Sequence, residues 1–172
     1  CAHAPARHFM VAAAHPLAVD AGHDVLARGG SAVDAAIAVQ AVLGLVEPES
    51  SGIGGGAFLL HWSARERRLR SYDGRETAPA SARPDRFLHE KQPLGFFEAA
   101  VGGNSVGVPG VLRMLELAHR RHGALPWAEL FDAAIRLGGE GFDTSPRLAR
   151  LLAEERYLRQ DPQAAALYYA AD

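Results

Sequence analysis

Arg75 is the residue of this sequence best placed to recognise a ligand. It lies in Tyr72-Asp73-Gly74-Arg75-Glu76-Thr77-Ala78-Pro79, at the end of a predicted strand and between two acids. A guanidinium is a planar fork that grips a carboxylate through two parallel hydrogen bonds. Asp73 and Glu76 can orient that fork, or can pair with it as a structural ion pair, the commoner fate of neighbouring arginines and acids. Upstream runs a glycine loop, Glu47-Pro48-Glu49-Ser50-Ser51-Gly52-Ile53-Gly54-Gly55-Gly56. Without a Cβ, such residues can take φ > 0 and let another backbone or a ligand come close. A tight glycine loop and a presented arginine suggest a site for a small anionic substrate.

Other chemistries fit less well. Gly52-Ile53-Gly54-Gly55-Gly56-Ala57 matches the dinucleotide-binding spacing, and Asp73 follows where a ribose-binding acid belongs. That fingerprint needs a strand before it and a helix after it, so that the pyrophosphate meets a helix N-terminus. Here a helix precedes and a strand follows, so neither NAD nor, lacking Lys-Ser or Lys-Thr after the glycines, ATP is expected to bind. Cys1 could act as an N-terminal nucleophile with its own amine as base. Ala2-His3-Ala4-Pro5 offers it no evident oxyanion partner, and lipidation or inertness are equally open. Ser50 and Ser51 adjoin glycines, but G-x-S-x-G is absent. Both read as turn formers, with Ser51 bonding backbone and fixing the glycine loop. A single cysteine excludes an internal disulfide and a cysteine zinc cluster, and the eight histidines show no HExxH spacing. No metal is assigned, and no catalytic nucleophile or general base emerges.

The totals leave room for such a site and favour no other partner. Net charge is −2, which recommends neither nucleic acid nor an anionic membrane. Arg65-Glu66-Arg67-Arg68 and His119-Arg120-Arg121-His122 read as solvated surface. The apolar stretch Ala35–Val46 contains Gln40 and is too short to span a bilayer. No signal peptide is present, although a processed chain would not show one.

The elements that would carry these residues follow from pattern. Phe9–Ala14 reads as a short buried strand. Pro16 suits the first turn of a helix whose Leu17, Ala21 and Val25 stack, and Gly29-Gly30 ends it. Ser31 and Asp34 have the spacing of a capping box, opening a helix that is apolar on all sides to Val46 and therefore central. Pro48 stops it. Ala57–Trp62 and Leu69–Asp73, joined by the basic turn, predict an antiparallel hairpin. Thr77–Gly103 reads as irregular surface, with Phe87-Leu88 and Phe96-Phe97 tacking it down. Asn104–Val108 predicts a further strand. Pro109 starts a helix burying Val111, Leu115 and Ala118, with Arg120, Arg121 and His122 suited to its negative C-terminal end. Pro126 opens a fourth helix, closed by Gly138-Gly139, and Ser145-Pro146 a fifth. Leu167-Tyr168-Tyr169-Ala170 is apolar and uncapped, which reads as a polypeptide cut inside a domain.

Several segments together resemble the large-subunit part of the γ-glutamyltranspeptidase family. They are Met10–Ala18, Gly29–Ala38, Val46–Gly56, Asp73–Pro79 and Ser105–Gly110, in the right order along nearly the whole chain. The resemblance implies an N-terminal-nucleophile hydrolase, a four-layer αββα sandwich, represented by residues 1–172 as an incomplete large-subunit domain. It implies a precursor that cleaves itself, and a threonine at the new N-terminus of the small subunit that attacks γ-glutamyl amides such as glutathione. The acyl group then passes to water or to an amino acid or peptide. It assigns Arg75 to the donor α-carboxylate, needs no cofactor, and places the nucleophile outside these residues, so that this chain alone is expected to be inactive. The expected partners are a γ-glutamyl donor and the small subunit or C-terminal segment of the same precursor, with no nucleic acid and no membrane span. A periplasmic or extracellular location follows from the resemblance alone. Two alternatives remain: a related glutaryl or cephalosporin-type acylase, and a non-catalytic scaffold should the gene end at Asp172.

Overall fold

The structure, a computed structural model, describes residues 8–169. The chain folds as two compact units, one running to Thr77 and continuing in Pro109–Asp143, the other comprising Ala78–Val108 and the residues from Thr144 onward.

The first unit is a helical layer against a hairpin. α1 (Pro16–Ala27) starts on a proline, and the His15 side chain accepts a hydrogen bond from Leu17 N. Gly29 follows its end with φ +89°, a conformation that favours glycine. α2 (Ala32–Val46) packs against α1 and, on its other sides, against the helices that come later in the unit. Val33, Ile37, Ala38, Val42 and Val46 are buried, which is why apolar residues surround this helix.

Ser31 Oγ accepts from Asp34 N, and Asp34 Oδ2 accepts from Ser31 N at 2.8 Å, completing the capping box. Asp34 is wholly buried and does more than cap. Its Oδ2 also accepts from Ala124 N at 2.8 Å and Leu125 N at 3.2 Å, clipping a segment some ninety residues away onto the start of α2. Charge-assisted bonds of this kind are worth about 1.5–3 kcal/mol each.

β1 (Ala57–Ser63) and β2 (Arg68–Gly74) pair antiparallel, from Ala57 opposite Gly74 to Ser63 opposite Arg68. Arg67 turns the chain with φ 51°. Alternation puts Ala57, Leu59 and His61 on the half-buried face and Phe58, Leu60 and Trp62 on the exposed one. Tyr72 is the strand residue that enters the core.

The second unit begins after Thr77. β3 (Leu88–His89) and β4 (Gln92–Pro93) form a minimal hairpin, turned by Glu90 and Lys91 at positive φ, and α3 (Phe96–Ala100) follows. The chain then returns to the first unit as α4 (Val111–His122). This helix buries Val111, Met114, Leu115 and Ala118 and contacts α2, β1 and β2. A 3₁₀ segment, Trp127–Phe131, leads into α5 (Asp132–Glu140). The second unit resumes with α6 (Pro146–Glu154), capped by Ser145 Oγ, and α7 (Pro162–Tyr168), capped by Asp161.

Five expectations need correction. Phe9–Ala14 is not a strand and is not buried as a run: it has no strand partner among the described residues, and Met10 is 77% exposed. Asn104–Val108 is a 3₁₀ turn, Gly103–Ser105, followed by exposed Val106 and Val108, of which Val108 makes only an isolated β-bridge. β-branched residues alone do not make a strand where pairing does not extend beyond a single bridge. Phe96 stays exposed with its ring edge-on to Phe97 at 5.2 Å, and Phe97 stacks on Tyr157 at 5.5 Å. The helix opened by Pro126 starts as 3₁₀ and ends at Gly141, φ 85°, with Gly138 and Gly139 inside α5. The tail Leu167–Tyr169 belongs to an N-capped helix and its end, and Ala170 lies outside the described residues.

Candidate functional site

The site is built around one peptide, Gly74-Arg75, where β2 ends. Asp73 Oδ1 accepts from Arg75 N at 2.9 Å, an Asx turn that swings the chain out of the ladder. Two other backbones press on this peptide. A Cβ added to Gly56 would lie 2.7 Å from Gly74 O and 2.8 Å from Arg75 Cα, and one added to Gly110 would lie 2.4 Å from Gly74 O and 2.8 Å from Arg75 O. Gly110 N and Val111 N both donate to Gly55 O, at 3.1 and 3.2 Å. The glycine loop, the end of β2 and the start of α4 are thus fastened together at the backbone. Below them a Cβ on Gly74 would meet Met114 of α4 at 2.6 Å.

This corrects the part expected of the glycine loop. None of its glycines has positive φ. The requirement is close approach, and it falls on Gly56; around Gly54 nothing lies within 4 Å of an added Cβ.

From this fixed backbone the Arg75 side chain projects outward, 56% exposed, with Nη2 3.3 Å from Glu76 Oε2. Glu76 is the more enclosed partner, and its Oε2 is shielded from solvent without a hydrogen bond of acceptable geometry. Glu76 also borders a cleft of ≈ 450 Å³ formed with Gln40, Glu49, Ser51 and the glycine loop; Arg75 does not line it. The arrangement offers a cation on a rigid mount, held from one side by a carboxylate and open to solvent on the rest. Such a group can bind an anion; it has no means of attacking an amide.

The other sequence candidates fall as follows. Cys1 lies outside the described residues. Ser50 N and Ser51 N donate to Glu47 O at 3.1 and 2.9 Å, closing the end of α2, so Ser51 secures the turn through its backbone. The glycine loop runs from α2 into β1, the reverse of a dinucleotide site. Asp73 turns its carboxylate to its own backbone. Among the described residues no group of three or more His, Cys, Asp or Glu could hold a metal ion. No helix of the described residues is long and apolar enough to cross a membrane.

Sequence reasoning missed Gly110. Its signal was the pair Pro109-Gly110, which reads first as a helix start, whereas its partner, Gly74-Arg75, is 35 residues away in sequence.

Comparison with known proteins supplies the context. The sequence profile described as gamma-glutamyltranspeptidase matches residues 18–172. A glutathione hydrolase proenzyme of Bacillus subtilis (strain 168) is 42% identical over 146 residues, covering 84% of this chain and 25% of that protein. The crystal structure of Helicobacter pylori gamma-glutamyltranspeptidase superposes with a TM-score of 0.91 at 29% identity, over 98% of this chain and 48% of that one. Gamma-glutamyltranspeptidase from Pseudomonas nitroreducens, complexed with L-DON, superposes at 0.81 with 32% identity, over 93% and 44%. The mixed helix and strand fold is therefore the one these structures share, and the chain spans about a quarter of the length of the curated relatives it matches.

Proposed function

This chain belongs to the gamma-glutamyltranspeptidase family, and we propose that it is part of an enzyme that cleaves γ-glutamyl amides, glutathione among them. In this reading the complete protein matures by cutting itself, and a threonine at the new N-terminus of a small subunit attacks the γ-amide carbonyl. The threonine's own amine takes the hydroxyl proton and passes it to the departing amine. The resulting acyl-enzyme is resolved by water or by an amino acid or peptide. The nucleophile lies outside these 172 residues, and no cofactor takes part. An extracytoplasmic location goes with the family resemblance, and cell fractionation tests it.

The part of this chain is to hold the donor. One observation carries that reading: Arg75 stands on a backbone fixed by Asp73, Gly56 and Gly110 while its guanidinium remains more than half exposed, with Glu76 on one edge only. A donor α-carboxylate gripped by the open edge would set the distance from that end of the substrate to the nucleophile. Positioning of this kind is a large part of catalysis.

The test is substitution in the complete protein. Two charge-assisted bonds at about 1.5–3 kcal/mol each correspond to a loss of roughly two to four decades in kcat/KM for Arg75→Ala. Arg75→Lys keeps the charge and loses the fork, so it should recover only part. Self-cleavage should proceed in both, because the precursor's own peptide needs no carboxylate clamp. Donor kinetics within about twofold of wild type would make Arg75 a structural ion-pair residue. A glutaryl group also ends in a carboxylate, so comparing kcat/KM on γ-glutamyl and glutaryl anilides separates this activity from a related acylase.

A further inference from the structure

The hairpin meets the C-terminal end of α4 through a cluster that substrate binding does not use. His61 of β1 stacks on His122 of α4, with 4.0 Å between ring centroids and 23° between planes. The hydroxyl of buried Tyr72, on β2, lies 2.7 Å from His122 Nε2. Arg121 lies over the Tyr72 ring at 5.7 Å. Arg70 stands across the ladder from His61 and pairs with Glu66 in the hairpin turn.

We propose that His61 and His122 form a pH-sensitive clasp, which holds the hairpin on α4 while His122 is neutral and lets go when His122 gains a proton. A neutral His122 with its proton on Nδ1 accepts the Tyr72 hydroxyl at Nε2. Protonation makes Nε2 a donor, so the phenol must turn round and its own hydrogen loses that acceptor. The new charge also faces the cations Arg70 on β2 and Arg121 on its own helix, with the His61 ring stacked against it. Glu66 is the acid that opposes this, and its carboxylate is already drawn below its ordinary range first by the hydrogen bond from Arg70, with Arg68 adding to it. On the other ring, His61 Nδ1 is enclosed without a hydrogen-bond partner among the described residues, so a proton there would add a donor with no acceptor.

These surroundings reverse the sequence expectation that His122 would serve as a cation at the helix end. Burial, then His61 and Arg70, hold its imidazole below the ordinary histidine value. A base depressed in the folded state binds more protons when unfolded. The clasp's contribution is therefore complete above the unfolded value of about 6.5 and is lost as pH falls through the folded one. The clasp does not depend on Arg75 touching substrate.

The experiment uses the complete protein labelled with ¹⁵N-histidine. Long-range proton–nitrogen spectra across about pH 5 to 8 should show His122 titrating below an ordinary histidine. His122 Nε2 should be unprotonated at neutral pH, and the His61 ring signals should move with the same midpoint. The melting temperature should fall from pH 7.5 to pH 5.5. His122→Gln, which cannot titrate, should at least halve that fall, while His89→Gln, on exposed β3, should leave it unchanged. A His122 midpoint at or above the ordinary value overturns the clasp, as does a fall that His122→Gln leaves undiminished. If His122→Gln does not melt cooperatively, the wild-type titration decides by itself.

Discussion

At the scale of single residues, the glycine loop and the arginine belong to one device. Gly56 is small because the backbone of Arg75 occupies the space its side chain would need. An added methyl would meet Glu76 Oε2 at 2.5 Å as well as two backbone atoms, and backbone cannot rotate away. We therefore expect Gly56→Ala to cost about 1–3 kcal/mol as an overpacked site and to raise KM for the donor by tilting Arg75. Gly54→Ala, with open space around it, should stay within about 0.5 kcal/mol of wild type and keep its kinetics. Equal losses in the two variants, measured by denaturant unfolding and by KM, would mean that the loop matters through its flexibility and not through this contact. The place of the arginine, exposed just after a strand, was legible in the sequence because the end of a strand is a local signal. The reason for the glycine beside it was not, since the atom it makes room for belongs to a residue nineteen positions further along.

At the scale of elements, local rules decided what local rules can decide. Pro16, the Ser31–Asp34 box, Pro48 and the alternation along Ala57–Ser63 each marked an element that the structure contains, because each acts on backbone groups within a turn of itself. Phe9–Ala14 and Asn104–Val108 failed as strands because a strand needs a neighbour along its length, which pattern does not supply; Val108 makes only an isolated bridge. Asp34 shows the same boundary from the other side. Its cap was readable, its second task was not: the amides of Ala124 and Leu125 reach it only when α4 has folded against α2. The two tasks are separable by mutation. Ser31→Ala removes one capping acceptor and should cost about 1 kcal/mol. Asp34→Ala strips the acceptor from three amides and should cost about 3–5 kcal/mol. If unfolding shows Asp34→Ala to be no worse than Ser31→Ala, the long-range clip contributes nothing and Asp34 is only a cap.

At the scale of the molecule, the hairpin is the part of the first unit that does not finish its own burial. Phe58, Leu60 and Trp62 share the outer face of β1, and Leu69 stands opposite Trp62 across the ladder, all four exposed. Residues on one face of a paired hairpin are close neighbours, so these side chains make a continuous apolar patch rather than scattered exposures. The opposite face is occupied: Tyr72 enters the core, and α4 packs beneath the strands. A polypeptide of these 172 residues expressed alone would present that patch to water. It should bind a hydrophobic dye, associate at micromolar concentration and release no product from a γ-glutamyl anilide, since in the function proposed above Arg75 holds the donor and the nucleophile lies outside these residues. Replacing Leu60 and Trp62 by lysine should suppress the association without unfolding the helical layer, because neither side chain reaches the core. Sedimentation of the isolated chain tests the first claim. A monomer at all concentrations, with a sharp and reversible melting transition, would show that the outer face tolerates water and that the hairpin needs no cover. Product release that survived repurification would place a nucleophile inside these residues and remove the division of labour argued for Arg75.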